Sequence, residues 1–474
     1  MKKLLWIGMT IILFTTGCQQ PASTEPVSTE EETVETTETI ETTEREETSE
    51  GFNQAFMEKW EQVLDPQENS AASIGLFIRE HGAEATTQEM ERMIEKLVLH
   101  QAGLIDTFHQ KIYDEAYMEA LNHTMGGQLT PEKIGDIENE EVKKDYQQLV
   151  DAYLTVVRYG DTPAIETDWE ALTYYEEAVS ETFSRWIILN DKMQNHRYGR
   201  QDINYEAMIQ DMLETEKMIQ SKEASFLTWQ LNQLYDRQIA ALFVGPEGSY
   251  IENFIHKDGE LYQLLGKAAS EYPDSRFATL VQSLEAAEAT DSMSINDIIQ
   301  SARIFGVKGS AHIVKEPLDG GTSLSDLTYL HFPQNQEKEK AINHLINEIA
   351  SSMDVPAGAT MANYFYFIND HFLSFSIFAT YTTSEGDYQF KEEFATIDLE
   401  RLERTSLKSL LEQEGATIAL SDMMDTAPED IYQFAIGRSG LHLRWQEKGQ
   451  ENEIYEQLWF YELEKHMSLE KLFQ

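Results

Sequence analysis

The chain has 474 residues, 36 Lys+Arg, 84 Asp+Glu and a single cysteine, for a formal charge of −48. Acidity on that scale repels phosphate, which excludes nucleic acid as a partner. It repels anionic lipid as well, so any membrane attachment needs a local device. One cysteine closes no intramolecular disulfide and excludes cysteine-based zinc sites. With 41% hydrophobic and 11% aromatic residues, the chain can fill real cores, and its length suits two to three domains.

The first segment has the order of a secretory signal. Lys2 and Lys3 are followed by the apolar run Leu4 to Phe14, then by Thr15-Thr16-Gly17-Cys18. The run falls short of the roughly 20 residues that span a bilayer. Its end resembles the lipobox of bacterial lipoproteins, in which a cysteine after a small residue is acylated and becomes the first residue of the mature chain. Thr15, Thr16 and Gly17 are then the signal-peptidase recognition residues of a signal peptide over 1–17, and Cys18 is the lipidation site. The family's usual Leu, three positions before the cysteine, is replaced by Thr15. Acyl chains on Cys18 anchor firmly, each buried methylene contributing about 0.8 kcal/mol.

Residues 18–50 then read as a disordered tether. Gln19 to Glu50 holds 11 Glu, one Arg and 12 Ser/Thr with almost no large apolar side chain, too little to offset the entropy of ordering. About −10 of the charge lies here, and about −40 belongs to the body beyond residue 50.

From 51 to 304 the apolar period is helical. Phe52, Phe56, Trp60 and Val63 start it. Met93, Ile94, Leu97, Leu104, Ile105, Phe108 and Ile112 form a stripe between Met90 and Tyr113. Pro131 suits a first helical turn, leading towards Tyr159-Gly160. Asp168 to Met193 and Tyr205 to Val244 read as long helices, with Gly199, Gly245-Pro246 and Pro273-Asp274 as punctuation. An all-helical bundle is the expectation. His100, His109 and His123 lie near Asp114, Glu115 and Glu119, and Glu119 and His123 share a helical face at i, i+4 spacing. With 84 carboxylates such pairs arise by chance, and neither a His-Glu-x-x-His run nor paired Glu-x-x-His is present, so no metal or cofactor is expected. Trp169, Tyr174, Tyr175, Phe183 and Trp186 could stack against a glycan, but their spacing follows one helical face and favours core packing. Glu138 to Glu141 reads as a solvated face.

From 305 to 474 the texture changes. Gly306, Gly309, Gly320 and Gly321 precede a helical pattern over Lys338 to Ser351, with Ile342, Leu345, Ile346 and Ile349 on one face. Strands are expected at Asn363–Ile368, Phe372–Thr383 and Phe390–Leu399, with an Asn369-Asp370 turn between the first two. Leu373, Phe375, Ile377 and Ala379 alternate with Ser374, Ser376 and Phe378. Short helices are expected at Ser406–Glu412 and around Ser421–Met424. Strands follow at Ile431–Ile436, Leu441–Trp445 and Glu456–Phe460, with a closing helix over Glu462–Leu472. The fold class is therefore α plus α+β: an N-terminal helical bundle, then a C-terminal α+β domain with an antiparallel sheet.

Over roughly 310–466 this part resembles the RsiV-like extracytoplasmic domain. The resemblance rests on Tyr329-Leu330-His331-Phe332-Pro333 and the helix with Ile342-Asn343. It continues through Phe367-Ile368-Asn369-Asp370, Leu373-Ser374-Phe375-Ser376, Ile397-Asp398-Leu399 and Leu407 to Leu411. Phe434-Ala435-Ile436 with Gly440-Leu441-His442-Leu443 completes it. Where the family often has Gly-Gly-Ala-His, this chain has Ser384-Glu385-Gly386-Asp387-Tyr388. Members include a lysozyme-binding anti-sigma factor and an accessory domain of a peptidoglycan deacetylase, outside the membrane of Gram-positive bacteria. The resemblance implies a wall-facing binding domain on the cell membrane's outer face. Its expected partners are a basic extracellular protein such as lysozyme, which a −40 body would steer electrostatically, or a wall glycan. Sigma regulation does not carry over, because no internal membrane span or cytoplasmic regulatory region is present. No catalytic residue stands out: the chain has no nucleophile elbow, zinc motif or phosphate loop. A wall-glycan enzyme and a structural or chaperone-like surface protein are the competing readings.

Overall fold

A computed structural model describes residues 59–60, 63, 70–159, 162–197, 204–221, 225–244, 259–290, 312–314, 327–332, 335–369, 371–383, 386–413, 431–446, 453–463, 467, 469 and 472. The chain divides into two units, Met1–Asn53 and Gln54–Gln474, and every described residue belongs to the second. Thr15, Thr16, Gly17, Cys18 and the tether lie outside the described residues, as do Phe52, Phe56 and the short helix expected at Ser421–Met424. Among the described residues no helix is long and apolar enough to cross a membrane.

The layout is helices first and antiparallel sheets after. Helix α1 (Ala71–His81) is started by Ser70, whose hydroxyl accepts from the Ser73 N–H, and it buries Ile74, Phe77 and Ile78. Helix α2 (Thr87–Lys111) opens on a capping box between Thr86 and Glu89. Its stripe Met90, Met93, Ile94 and Leu97 is fully buried. Helix α3 (Glu115–Glu119) runs into a π turn over Ala120–Thr124, which takes His123 out of α-helical register with Glu119.

The helix expected from Pro131 to Tyr159 is instead three elements. A 3₁₀ segment covers Pro131–Asp136, α4 covers Glu140–Asp151 from an Asn139 cap, and strand β1 covers Leu154–Tyr159. Strand β1 pairs antiparallel with β2 (Thr162–Thr167), so this part carries a hairpin among its helices. Two causes are visible. The run Thr155-Val156-Val157 is β-branched and prefers a strand. The buried Gln101 donates its side-chain N–H groups to the carbonyls of Ala152 (2.7 Å) and Tyr153 (3.1 Å), which satisfies the main chain where α4 stops. Tyr153 sits at φ 51°, where the chain reverses.

The helix expected over Asp168–Met193 is also divided. Asp168 caps the one-turn α5 (Trp169–Leu172), a 3₁₀ turn covers Thr173–Tyr175, and α6 runs Glu181–Arg197. Tyr205–Val244 forms two helices, α7 (Tyr205–Ser221) and α8 (Phe226–Val244). Helices α9 (Glu260–Glu271) and α10 (Arg276–Thr290) follow. The buried Glu216 accepts from the N–H groups of Arg276 (2.5 Å) and Phe277 (3.1 Å), placing a carboxylate at the N-terminus of α10. One continuous core runs through all these helices, from Trp60 to Leu284.

The C-terminal part begins with the two-stranded β3 (His312–Val314) and β4 (Tyr329–His331). Helix α11 (Gln336–Ser352) packs beside β4, and Asn343 joins them: its amide accepts from the Leu330 N–H (2.9 Å) and donates to the Leu330 carbonyl (2.8 Å). The main sheet has the order β5-β6-β7-β8, formed by Thr360–Ile368, Phe372–Thr382, Tyr388–Asp398 and Glu403–Arg404. Ile342, Ile346 and Ile349 of α11 cover one face of it, against Phe365, Phe375, Ile377 and Ala395. Helix α12 (Leu407–Gln413) precedes a second sheet of order β11-β10-β9, formed by Ile431–Ile436 (β9), Gly440–Gln446 (β10) and Glu453–Trp459 (β11). The described closing helix is the single turn α13 (Phe460–Leu463). The strands fall within a few residues of where alternation puts them.

The helical and α+β parts share a seam. Leu99 of α2 is buried in the core of the second sheet. Gly103 leaves room for Tyr461, whose hydroxyl would stand 2.7 Å from an added Cβ. Trp229 and Gln233 of α8 both donate to the Arg438 carbonyl at 3.3 Å, and the Arg438 guanidinium lies 2.6 Å from the buried Asp236.

Candidate binding face

Pairing registers decide what each face of the β5–β7 sheet carries. Residues opposite one another point the same way. Ser376 faces Phe394, Phe378 faces Glu392, Thr380 faces Phe390, and Thr382 faces Tyr388. On the other side Tyr364 lies opposite Ser376, and Ala362 opposite Phe378. The face that α11 does not cover is therefore built of aromatic and hydroxyl side chains.

The lower part of this face is closed by the second sheet. The Phe394 N–H donates to Gln433 Oε1 (3.1 Å), and the Thr396 hydroxyl donates to the Phe434 carbonyl (3.2 Å). The Ser374 and Thr396 hydroxyls meet at 2.7 Å in the buried layer. The Tyr366 hydroxyl lies 3.2 Å from Ser376 Oγ and donates to Glu392 Oε1 at 3.4 Å. The His442 ring packs 5.5 Å from Tyr366 and 6.3 Å from Phe394. Arg444, only 3% exposed, lies beneath the Tyr455 ring at 5.0 Å.

Burial sets the protonation of this layer. It pushes the Glu392 carboxyl above its ordinary value; the Ser376 contact, the Arg444 charge and the Tyr366 hydrogen bond pull in the opposite direction. Burial pushes the Tyr366 hydroxyl well up and the His442 imidazole down, so both stay neutral at pH 7.

The upper part is open. Tyr364, Phe390 and Tyr388 are 51%, 55% and 69% exposed. Phe378 and Phe390 are stacked at 26° with centroids 6.1 Å apart, and Tyr364 meets Tyr366 edge to face at 5.1 Å. These exposed rings on one face make it the candidate interaction surface. The arrangement offers flat apolar rings, hydroxyls between them, and one half-buried carboxylate at the inner end. Among the described positions of this face, Glu392 is the one carboxylate. Asp398 is six residues along the same strand, about 20 Å away, and its carboxylate accepts from the Glu400 and Arg401 N–H groups. Glycoside hydrolysis needs about 5 to 9.5 Å between its carboxyls.

The other residues singled out from sequence do not converge. His100 is buried against Tyr461, His109 stacks edge-on with Tyr113, and His123 is exposed. Among the described residues no group of three or more His, Cys, Asp or Glu side chains is placed to hold a metal. Trp169, Tyr175, Phe183 and Trp186 are core, as their spacing indicated, while Tyr174 is 84% exposed. The aromatic shelf lies instead on the main sheet, through residues not singled out from sequence. The available signal was Phe378, an aromatic on the polar phase of β6, together with Tyr388 and Phe390 two apart on β7.

No protein-family model matches the chain, and no curated protein matches it either.

Proposed function

We propose that this protein is a lipid-anchored lipoprotein of the outer face of a bacterial cell membrane, with a non-catalytic binding role in the envelope. Cys18 carries the anchor, Thr15 to Gly17 are read by the signal peptidase, and residues 19–50 hold the body away from the lipid surface. The only cysteine of 474 residues falls at the end of a signal-like apolar run, which supports the anchor. The observation that carries the binding role is the open aromatic face on β5–β7, with the Glu392 carboxylate at its inner end. The resemblance of residues 310–466 to RsiV-like domains supports the same reading and suggests a basic protein such as lysozyme, or a peptidoglycan fragment, as ligand.

The test is metabolic labelling with a palmitate analogue, followed by membrane fractionation. Label and membrane association should both disappear in Cys18→Ala. Label that persists in the variant would sink the anchor. A pull-down with immobilised full chain from lysozyme-containing fluid and from wall digests should recover a ligand of one class; recovery of neither refutes the binding role.

A further inference from the structure

The open half of the β5–β7 face differs in character from the chain around it. Four of the ten positions from Thr360 to Glu392 on the face that α11 does not cover are aromatic, against 11% for the chain, and four are threonine or serine. Glu392 is the one charged residue among the ten, and it sits at the buried end, hydrogen-bonded to Tyr366. In a chain of net charge −48, this patch is close to electrically neutral. A basic protein is steered to carboxylate-rich surface, and among the described positions of this patch Glu392 is the one carboxylate. Its chemistry is instead that of a polyhydroxylated, uncharged ligand with apolar ring faces. Exposed rings cover the apolar C–H faces of a sugar, and hydroxyls and a carboxylate take up its O–H groups.

We propose that this half-face is a carbohydrate subsite, in which a neutral wall glycan lies on Tyr364, Phe378, Phe390 and Tyr388 and a sugar hydroxyl donates to Glu392. The inference rests on the envelope-binding reading above and names its ligand. Position on the fold favours it too. The inner end of the shelf adjoins a layer ordered by Tyr366, Ser376 and the second sheet, and within the shelf Phe378 stacks on Phe390.

The experiment uses the full chain carrying Cys18→Ala. Its probes are peptidoglycan sacculi stripped of anionic polymer and a hexamer of β-1,4-linked N-acetylglucosamine. Binding to both should persist at about 1 M salt, where the Debye length falls to about 3 Å. Phe390→Ala and Tyr364→Ala each replace an exposed side chain, so the fold should survive, and each should weaken binding at least tenfold. Tyr174→Ala, which removes an exposed tyrosine elsewhere, should not. Unchanged affinity in both shelf variants overturns the subsite. So does a concentration-dependent dimer dissolved by Phe390→Ala, because a second copy would then occupy the shelf. Capture of lysozyme that salt abolishes, with no sugar bound, overturns this inference while leaving the envelope-binding reading intact. Loss of the anchor alone would fail that reading and leave the sugar titration unaffected.

Discussion

Gly440 offers a test in which local propensity and tertiary packing disagree in sign. It begins β10, the strand that carries His442 and Arg444 under the candidate face. A glycine with ordinary backbone angles gains about 0.4 to 1 kcal/mol on replacement by alanine, because the unfolded chain loses freedom. At this position the new Cβ would stand 2.1 Å from the Leu458 carbonyl oxygen and 2.9 Å from the Trp459 Cα. Both are main-chain atoms of β11, so no side-chain rotation relieves the contact. Reaching van der Waals distance requires β11 to move by about 1 Å or more. That movement pulls at the Gly440–Trp459 and Leu441–Leu458 pairs. Two strained ladder bonds at about 1 kcal/mol each, with overpacking of about 1 to 3 kcal/mol, outweigh the entropic gain. Gly440→Ala should therefore lose about 2 to 4 kcal/mol. Urea unfolding followed by tryptophan fluorescence reports it, since Trp445 and Trp459 lie on the two strands involved. A midpoint equal to or above that of the parent chain would refute the close-approach argument.

Two further outcomes follow from buried polar groups. Asp145 is buried where it accepts from Lys111 Nζ (2.8 Å) and from the Tyr117 hydroxyl. Asp145→Ala strands both donors and should cost about 2 to 4 kcal/mol, with Asp145→Asn recovering much of it in the same denaturation assay. Glu392 and His442 act on stability in opposite directions with pH. The raised Glu392 value means the folded state keeps that proton longer, so its contribution is full in acid and is lost as pH rises through the raised value. The lowered His442 value means its contribution is full above the ordinary histidine range and is lost as pH falls through that range. Glu392→Gln should flatten the fall of stability from mild acid to neutral pH, and melting curves at a series of pH values would show an unchanged slope if the burial argument fails.

Strong, local patterns were readable in advance. The alternation in Phe372–Thr382 and the period of α11 put those elements within a residue or two of their observed ends. The helical stripe of α2 likewise identified Met93, Ile94, Leu97 and Phe108 as buried, though it missed Leu99, His100 and Gln101. Errors arose where a local preference had competitors. Residues 131–159 have helix-compatible composition, but Gln101, 51 residues before its partner Ala152, supplies hydrogen bonds that favour a strand after Asp151. The candidate face was hidden for a related reason. Tyr364, Phe378, Phe390 and Glu392 are spread over 29 residues and three strands, and only the pairing registers align them.

Composition and order along the chain determined the class-level statements. A charge of −48, a lone Cys18 after an apolar run, and a 3.6-residue period giving way to a 2-residue period are properties of the sequence as written. They argue against a nucleic-acid partner, suggest an anchor and set the order of helices before sheets. Tertiary structure alone decided which aromatics are exposed. A period-two pattern assigns side chains to two faces, but whether a face is covered depends on elements distant in sequence. Helix α11 and the second sheet close one face and half of the other. What they leave open is the nearly neutral aromatic shelf in an otherwise acidic chain.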